Sequence, residues 1–390
     1  MKRILFFVLL LIFTGVQYSF GQASTTGASV VSSAVPFLTI APDSRGGGMG
    51  DVGAATSADI NSQFWNPAKY AFSESKTGIA LTYTPWLRNL VPDMNLAYLS
   101  GYHQLDNIQS LSGSLRYFDL GSMDLFNESG GSEGSSHPTE FAVDFGYTRK
   151  LSDEWSGAVA LRFILSDIYS GVVSTDLTAG TSYAADVSFL YNKKIFKNRK
   201  NSNISAGINI SNIGSKISYN GGGIKDFIPT NMRIGGAYTT ELDKYNKLSF
   251  ALDFNKLLVP SPQIDTVQGV PIFSNLGNQK VGPIEGIFVS FADAPGGFME
   301  ELSEVTVSVG AEYWYSNQFA VRMGYFWEAE EKGDRKFMTF GAGLRMNVFS
   351  LDFSYIVAKN TSPLEGILRF TLGFDLDDFN KQGSQKKRRN

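Results

Sequence analysis

The chain has 390 residues, no cysteine, 40 glycines, 30 phenylalanines and 17 tyrosines, with a mean hydropathy of -0.08. It is therefore neither a disulfide scaffold nor a cysteine-ligated zinc protein, and its balanced hydropathy does not suit a bundle of membrane helices. The formal net charge of -3 is unevenly spread: Lys2, Arg3, Lys381, Lys386, Lys387, Arg388 and Arg389 lie at the ends, and setting these seven aside leaves 27 of the 34 basic residues against 37 acidic ones. Nucleic acids require a basic face, so this acidic body excludes them as partners.

Lys2-Arg3, the apolar run Ile4 to Phe13, and the small residues Ser19 and Gly21 around Phe20 read as a secretory signal peptide over 1–21, cleaved after Gly21. Beyond Gln22 no apolar stretch reaches the ~18 residues that a spanning helix needs. The exported chain is then either soluble or crosses a membrane as strands. Next comes Phe37-Leu38-Thr39-Ile40-Ala41-Pro42-Asp43-Ser44-Arg45, followed by Gly46-Gly47-Gly48-Met49-Gly50 and later by Gln63-Phe64-Trp65-Asn66-Pro67-Ala68. Glycines permit backbone turns that a Cβ forbids, and Asn66-Pro67 favours a tight turn. No Gly-Lys-Ser/Thr follows the glycine run and no βαβ unit surrounds it, which argues against a phosphate loop.

From Thr77 onward apolar residues alternate with polar or small ones, the period of strands. Met338, Phe340, Ala342, Leu344, Met346 and Val348 form one face; Thr339, Gly341, Gly343, Arg345 and Asn347 form the other. Fourteen segments follow this pattern: 77–84, 93–104, 108–118, 139–150, 154–169, 176–192, 201–217, 229–240, 246–258, 302–315, 317–328, 336–347, 350–358 and 364–376. Longer connections near 85–92, 119–138, 170–175, 218–228, 259–301, 329–335 and 359–363 alternate with short ones, as in a bacterial outer-membrane barrel. The expected fold is all-β: a 14-stranded antiparallel transmembrane β-barrel over 77–380, with residues 22–76 as an N-terminal hatch, or plug, in the lumen. Seven long loops and six short turns put both termini in the periplasm. Asp119, Asp124, Glu128 and Glu133 make one outer loop acidic, while Lys193, Lys194, Lys197, Arg199 and Lys200 make a periplasmic turn basic. A soluble β-sandwich is the competing fold, but Arg162, Arg345 and Arg369 among small residues suit a polar lumen better. Tyr83, Trp86, Tyr313, Trp314, Tyr315, Tyr325 and Trp327 fit interfacial girdles.

The loop 259–301 lacks strand alternation, and loops of this length are often functional. Pro283 is placed to open a short helix on which Ile284, Ile287, Phe288 and Phe291 recur at helical spacing. The stripe either packs over the barrel mouth or, with Phe298 and Met299, forms a partner-binding patch.

The hatch motif, taken as Arg45, Gly48, Met49, Gly50, Trp65, Asn66, Pro67 and Ala68 ahead of fourteen strands, resembles that of the long-chain fatty acid transporter family of outer-membrane barrels. The fuller string Ala41-Pro42-Asp43-Ser44-Arg45, Gly48-Met49-Gly50-Asp51 and Trp65-Asn66-Pro67-Ala68 resembles more particularly the PorV-like proteins of type IX secretion. Gly282-Pro283-Ile284-Glu285-Gly286-Ile287-Phe288 and Phe291-Ala292-Asp293-Ala294-Pro295-Gly296-Gly297-Phe298 look like that group's long outer loop. The resemblance covers essentially the whole exported chain. It implies an outer-membrane, non-enzymatic protein that associates with the giant translocon barrel, binds the C-terminal signal domains of cargo, and shuttles cargo to the surface sortase complex for attachment to lipopolysaccharide. A channel for fatty acids or other hydrophobic small molecules is the alternative. The basic tail 381–390 departs from barrels that end on an aromatic strand residue and reads as a solvated end or a partner-binding arm.

No catalytic, metal or cofactor site is expected. The two histidines, His103 at a periplasmic turn and His137 in an outer loop, fall on opposite sides of the membrane. Ser135, Ser136 and His137 are the one set available for a lipid-deacylating nucleophile and base, and such a loop is more simply solvated. Glu330-Glu331 and Asp377-Asp378 likewise read as solvated charges.

Overall fold

The computed structural model describes residues 30–88, 90–126, 129–170, 177–197, 200–221, 223–267, 270–274, 276–359 and 362–377. The signal peptide 1–21 and the tail 381–390 lie outside the described residues. Fourteen strands form a closed antiparallel barrel: β1 Thr77–Pro85, β2 Asn95–Gln104, β3 Gln109–Asp119, β4 Thr139–Lys150, β5 Trp155–Asp167, β6 Gly180–Lys197, β7 Lys200–Gly214, β8 Asn231–Glu241, β9 Asn246–Leu257, β10 Thr306–Tyr315, β11 Phe319–Trp327, β12 Phe337–Met346, β13 Phe349–Ala358 and β14 Leu368–Asp375. Each strand pairs with its chain neighbours, and β1 closes on β14 from Gly78 opposite Asp375 to Tyr83 opposite Phe370.

Period-two burial identifies the solvent on each face. On β1, Ile79, Leu81 and Tyr83 point outward and are exposed, while Gly78, Ala80, Thr82 and Thr84 point inward and are buried. On β14, Phe370, Leu372 and Phe374 face out, and Arg369 and Thr371 face in. A soluble sandwich would bury its apolar face. Here the apolar face is the outer one, as lipid requires, and closure leaves no unpaired strand edge within the bilayer. Long connections gather at one end and short turns at the other, as the alternation predicts. At the short end Asp106 caps its turn by accepting from the Ile108 and Gln109 amides, each at 2.8 Å. The Ile108 amide is the foremost reason that its carboxyl is held below the usual carboxylate range. Asp243 caps a second short turn in the same way through the Tyr245 and Asn246 amides.

Several boundaries and placements differ from expectation. The β6–β7 hairpin runs on to Lys197 and Lys200, so Lys193 and Lys194 lie on a projecting hairpin and not in a turn. Residues 302–305 do not begin a strand, because the helical turn Phe298–Ser303 takes the first two and its C-cap Glu304 follows, so that the strand starts at Thr306. The loop after β9 holds the hairpin Gln263–Val267 with Val270–Ser274, and the loop after β3 holds Met123–Phe126 with Ser132–Ser136. These short strands pair only with each other, so barrel periodicity did not register them. Trp314 is no girdle residue: it is buried inside, with the Arg322 and Arg345 guanidiniums 5.5 and 4.9 Å from its ring. Trp86 packs against buried apolar clusters at the long-loop end. Arg345 faces the interior by register yet is exposed, being next to last on its strand.

The N-terminal segment lies inside the ring. Its polar contacts reach strands on every side: the Ser44 amide to Thr371 on β14, Gly50 to Thr339 on β12, Gly53 and Ala54 to Asp253 on β9, and Asn66 to the Phe189 carbonyl on β6. Thr148 of β4 and Ser156 of β5 donate to the Pro67 and Ala68 carbonyls. Only a segment surrounded by the strands can touch all of them. Gly50 has φ +75° and approaches the β11 backbone so closely that a Cβ would fall 2.6 Å from the Tyr325 nitrogen, which requires glycine on both counts.

Candidate functional site: the luminal segment, the mouth cavity and the long loop

The hatch-motif residues are brought together as fasteners of the luminal segment. Asp43 caps the short helix α1 (Ser44–Gly47), accepting from the Gly46 amide at 2.9 Å and from the Trp65 indole at 2.5 Å. The indole is fully buried between Gly46 and Gly53, where a Cβ on either glycine would enter the ring. Arg45 binds Glu312 of β10 through two nitrogens, at 2.9 and 2.8 Å, and Asp59 at 2.8 Å. Glu312 also accepts from Arg322, which bridges to Asp352 on β13. Met49 packs with Val52 and Ala251, and Gly48 passes close to Gly341 on β12. Asn66 follows the helical turn α2 (Ser62–Trp65) and holds both sides at once: its amide donates to the Ala54 carbonyl at 2.9 Å and to Phe189 at 3.1 Å, while its oxygen accepts from the Ala68 amide. Lys69, which sequence reasoning passed over, is completely buried and donates to the Gly53 carbonyl and Thr56 hydroxyl. Its position next to Asn-Pro-Ala was the available signal.

The barrel wall carries a second ionic cluster, with one side chain from each of five consecutive strands. Arg162 of β5 binds Asp144 of β4 at 2.5 and 3.1 Å and Asp186 of β6 at 3.0 and 3.2 Å, and it donates to Asn212 of β7. Ser114 of β3 donates to Asp144. The β6–β7 register shifts between Ala185 and Val187, leaving Asp186 outside the regular ladder. Its carboxylate also accepts from the Asn212 amide, at 2.8 Å, where Asn212 turns through φ +60°.

Above the luminal segment, toward the long loops, a cavity of about 430 Å³ opens. Trp86, Phe326, Phe337, Ile356 and Leu364 make one wall apolar, and Ser211, Asn212, Asn231 and Asn255 bring amides and a hydroxyl to another. Arg233 and Arg369 line it next to Trp65 and Asp51. The Arg233 guanidinium lies 4.6 Å from the Trp65 ring and donates to Asn255 at 2.6 Å.

The long connection 258–305 carries the predicted apolar residues on two short helices, α3 (Pro283–Val289) and α4 (Phe298–Ser303). Pro283 opens α3 as expected, and the Glu285 carboxylate accepts from the Gly282 amide. Gly286 and Ser290 form the buried side of this turn, with Phe227 and Pro260 so near Gly286 that a Cβ would meet them. Ile284 and Phe288 point away, Phe288 at 72% exposure; Ile287 is half-buried, and Phe291 lies just past the helix and is exposed. On α4 the usual arrangement is reversed. Glu301 faces inward and meets Lys256 of β9 at 2.6 Å; Lys256 also meets Glu304, which follows the helix, at 2.6 Å. Lys332 pairs with Glu300 and Glu304. Phe298 and Met299 point outward at 78% and 72% exposure, with Leu302 one turn on. A loop helix normally buries its apolar face; this one buries charges on lysines and exposes its apolar face. Leu302, at i+4 from Phe298, was a legible member that the sequence reading missed. Lys256 and Lys332 gave no sequence signal, since isolated lysines read as solvated. Near the loop base, burial raises the Asp293 carboxyl above its ordinary range, although the Ser261 amide donating to it acts the other way.

His103 and His137 are far apart, as expected. His103 meets the Thr77 hydroxyl near the short-turn end. His137 stands exposed just before β4 at the long-loop end, while Ser136 is turned away to the Ser170 carbonyl. Among the described residues no group of three acidic or histidine side chains is arranged to hold a metal.

A closed barrel with a lipid-facing apolar surface and a polar, filled interior defines the class: a β-barrel protein of the outer membrane. Within that class, the chain belongs to the PorV family, since the model for the type IX secretion system protein PorV matches residues 23–264. The family is a secretion component, not an enzyme. No curated protein matches. Similar solved structures include a Pseudomonas putida toluene transporter, TodX, at 10% identity over 89% of this chain and 98% of that one, with a TM-score of 0.46. A Pseudomonas aeruginosa FadL homologue is 11% identical over 89% and 99%, at 0.43. The Ralstonia pickettii toluene transporter TbuX is 11% identical over 86% and 96%, at 0.44. Likeness of this degree bears on neither ligand nor route.

Proposed function

We propose that this protein binds the C-terminal signal domain of exported cargo at the translocon and delivers it to the surface attachment complex, with Ile284, Ile287, Phe288, Phe291, Phe298 and Met299 forming the contact surface. The observation that carries the reading is the reversed α4 helix and its neighbour α3, whose large apolar side chains face solvent while their polar and small sides are buried. Exposed apolar surface of this kind marks a partner site. In this reading the long loops face outward from the cell, both termini are periplasmic, and residues 22–76 serve as the hatch. The acidic outer loops favour a basic or dipolar partner surface. A conduit for hydrophobic small molecules has less support, because Trp65, Met49, Lys69 and their neighbours occupy the lumen below the mouth cavity.

The test replaces Phe288, Phe298 and Met299 with Ser and follows barrel assembly separately from cargo display. Because these side chains hold nothing in the fold, heat-modifiable migration of the barrel is expected to be unchanged while cargo display falls about tenfold or more, the scale of losing several interface anchors. Normal display from a correctly assembled variant would sink the proposal.

A further inference from the structure

The mouth cavity has an electrostatic asymmetry that the exposed loop does not use. Arg369 is 1% exposed. Its Nε and Nη1 have no acceptor among the described residues, and the carboxylate beside it, Asp51, stands at 3.7 Å. Arg233 lines the same cavity and has no carboxylate within ion-pairing distance among the described residues; its Nε is engaged by the neutral Asn255. Arg162, by contrast, is saturated by two aspartates, and Arg335 is paired with Glu328. Arg369 and Arg233 thus both stand at the inner end of the cavity with Asp51, 3.7 Å from Arg369, as the one carboxylate among the described residues in ion-pairing range of either. Asp253 and Asp43 act on Arg233 from further off, while Glu304 and Glu328 on the lining are paired with Lys332 and Arg335. Buried donors without acceptors are costly, and a site that keeps them is suited to receiving an anion.

We infer that this cavity receives the terminal carboxylate of an extended polypeptide, with Arg369 and Arg233 as its anion-binding end. The chemistry of the walls separates a peptide from a simple alkyl acid. Trp86, Phe326, Phe337 and Ile356 offer an apolar side for a terminal side chain. Opposite them, Ser211, Asn231 and Asn255 offer the hydroxyl and amide groups that a peptide backbone must find when it leaves water. An alkyl chain has no use for that polar wall. At about 430 Å³ the cavity lies within the range of ligand sites and far below the size of a folded domain, so it fits the end of a chain. Capture of a free C-terminus by clustered donors is an established recognition mode. This inference rests on the reading that the protein binds the C-terminal domains of cargo, and it names the atom group recognised: one carboxylate, held by charge-assisted hydrogen bonds.

The experiment uses the full chain purified in a non-ionic detergent and two probes, an intact cargo signal domain and a fluorescent peptide of its last ten residues, each as the free acid and as the C-terminal amide. The free acids are expected to bind about ten- to a hundredfold more tightly than the amides, the range for a hydrogen bond to a charged group. Arg369→Gln should abolish that preference. Arg233→Gln should reduce it and provides an independent reading if the first variant fails to assemble. Competition with dodecanoate distinguishes the sources of carboxylate: displacement of the peptide only at far higher concentration supports the inference, and preferential binding of dodecanoate overturns it. If the signal domain binds equally well as acid and amide, the inference falls while the cargo-binding proposal stands. If neither form of the domain binds, the cargo-binding proposal falls and this inference with it.

Discussion

Replacing Arg162 with Met is expected to destabilise the barrel by about 3–5 kcal/mol, the penalty for removing one partner of a buried ionic cluster. Asp144 and Asp186 are both buried, and Arg162 supplies the ion pairs that hold them at 2.5 and 3.0 Å. Without it, two carboxylates remain in a closed interior with Ser114 and the Asn212 amide as their remaining donors among the described residues. The damage should concentrate where the β6–β7 register shifts, because Asp186 is held outside the ladder by these contacts. Denaturant unfolding in detergent, read by the loss of heat-modifiable migration, checks the magnitude. Replacing Asp144 and Asp186 with Asn in the same background should recover part of the loss, since the uncompensated charges are then gone.

The second large effect is local. Lys256→Met removes the group that meets Glu301 and Glu304, each at 2.6 Å, leaving Lys332 to pair with Glu304 while Glu301 loses its cation. The inward side of α4 then has no reason to stay inward, and the helix should detach from the barrel mouth. A penalty of about 3–5 kcal/mol for an unpaired buried charge exceeds what a six-residue helix contributes on its own. Proteolysis within 290–305 and amide exchange over Phe298–Ser303 should accelerate at least tenfold, while the midpoint of barrel unfolding changes little. Cargo display should fall with it, because Phe298 and Met299 would be present but no longer positioned. Unchanged exchange over this helix would show that the lysine does not anchor it.

The sequence revealed the fold through a single physical fact. Lipid outside and polar filling inside impose period two on every strand, so residues such as Phe370, Leu372 and Phe374 against Arg369 and Thr371 declare both the strand and its two environments. Short turns were legible as brief breaks in the alternation, and the structure adds that Asp106 and Asp243 cap two of them through the amides that follow. What stayed hidden depended on distant partners. Trp314 is an ordinary aromatic until Arg322 and Arg345 are seen beside it, and residues 302–305 extend an alternating pattern until Glu301 and Glu304 are drawn to Lys256. The two loop hairpins escaped notice because they pair only with themselves.

The candidate site divides in the same way. The apolar members Ile284, Phe288, Phe298 and Met299 were visible from spacing and composition, as was the helix-opening role of Pro283. Their outward orientation was not, because hydrophobicity alone fits burial over the barrel mouth equally well. The buried glutamates on lysines turn α4 over, and an ion pair between β9 and a helix some 45 residues later has no local signature. The cationic end of the cavity was hidden for a related reason: Arg233 and Arg369 look like other lumen arginines until Arg369, with Asp51 no nearer than 3.7 Å, and Arg233, with no carboxylate in ion-pairing range among the described residues, are compared with the saturation of Arg162.

The most direct measurement is photocrosslinking in living cells with a photoreactive phenylalanine derivative at position 298, at the outward tip of α4. The proposed function predicts adducts with the translocon barrel or with the C-terminal domain of a cargo protein, and predicts that they disappear when cargo export is blocked upstream. Adducts confined to lipid or to the protein's own chain, in cells that display cargo normally, would contradict it.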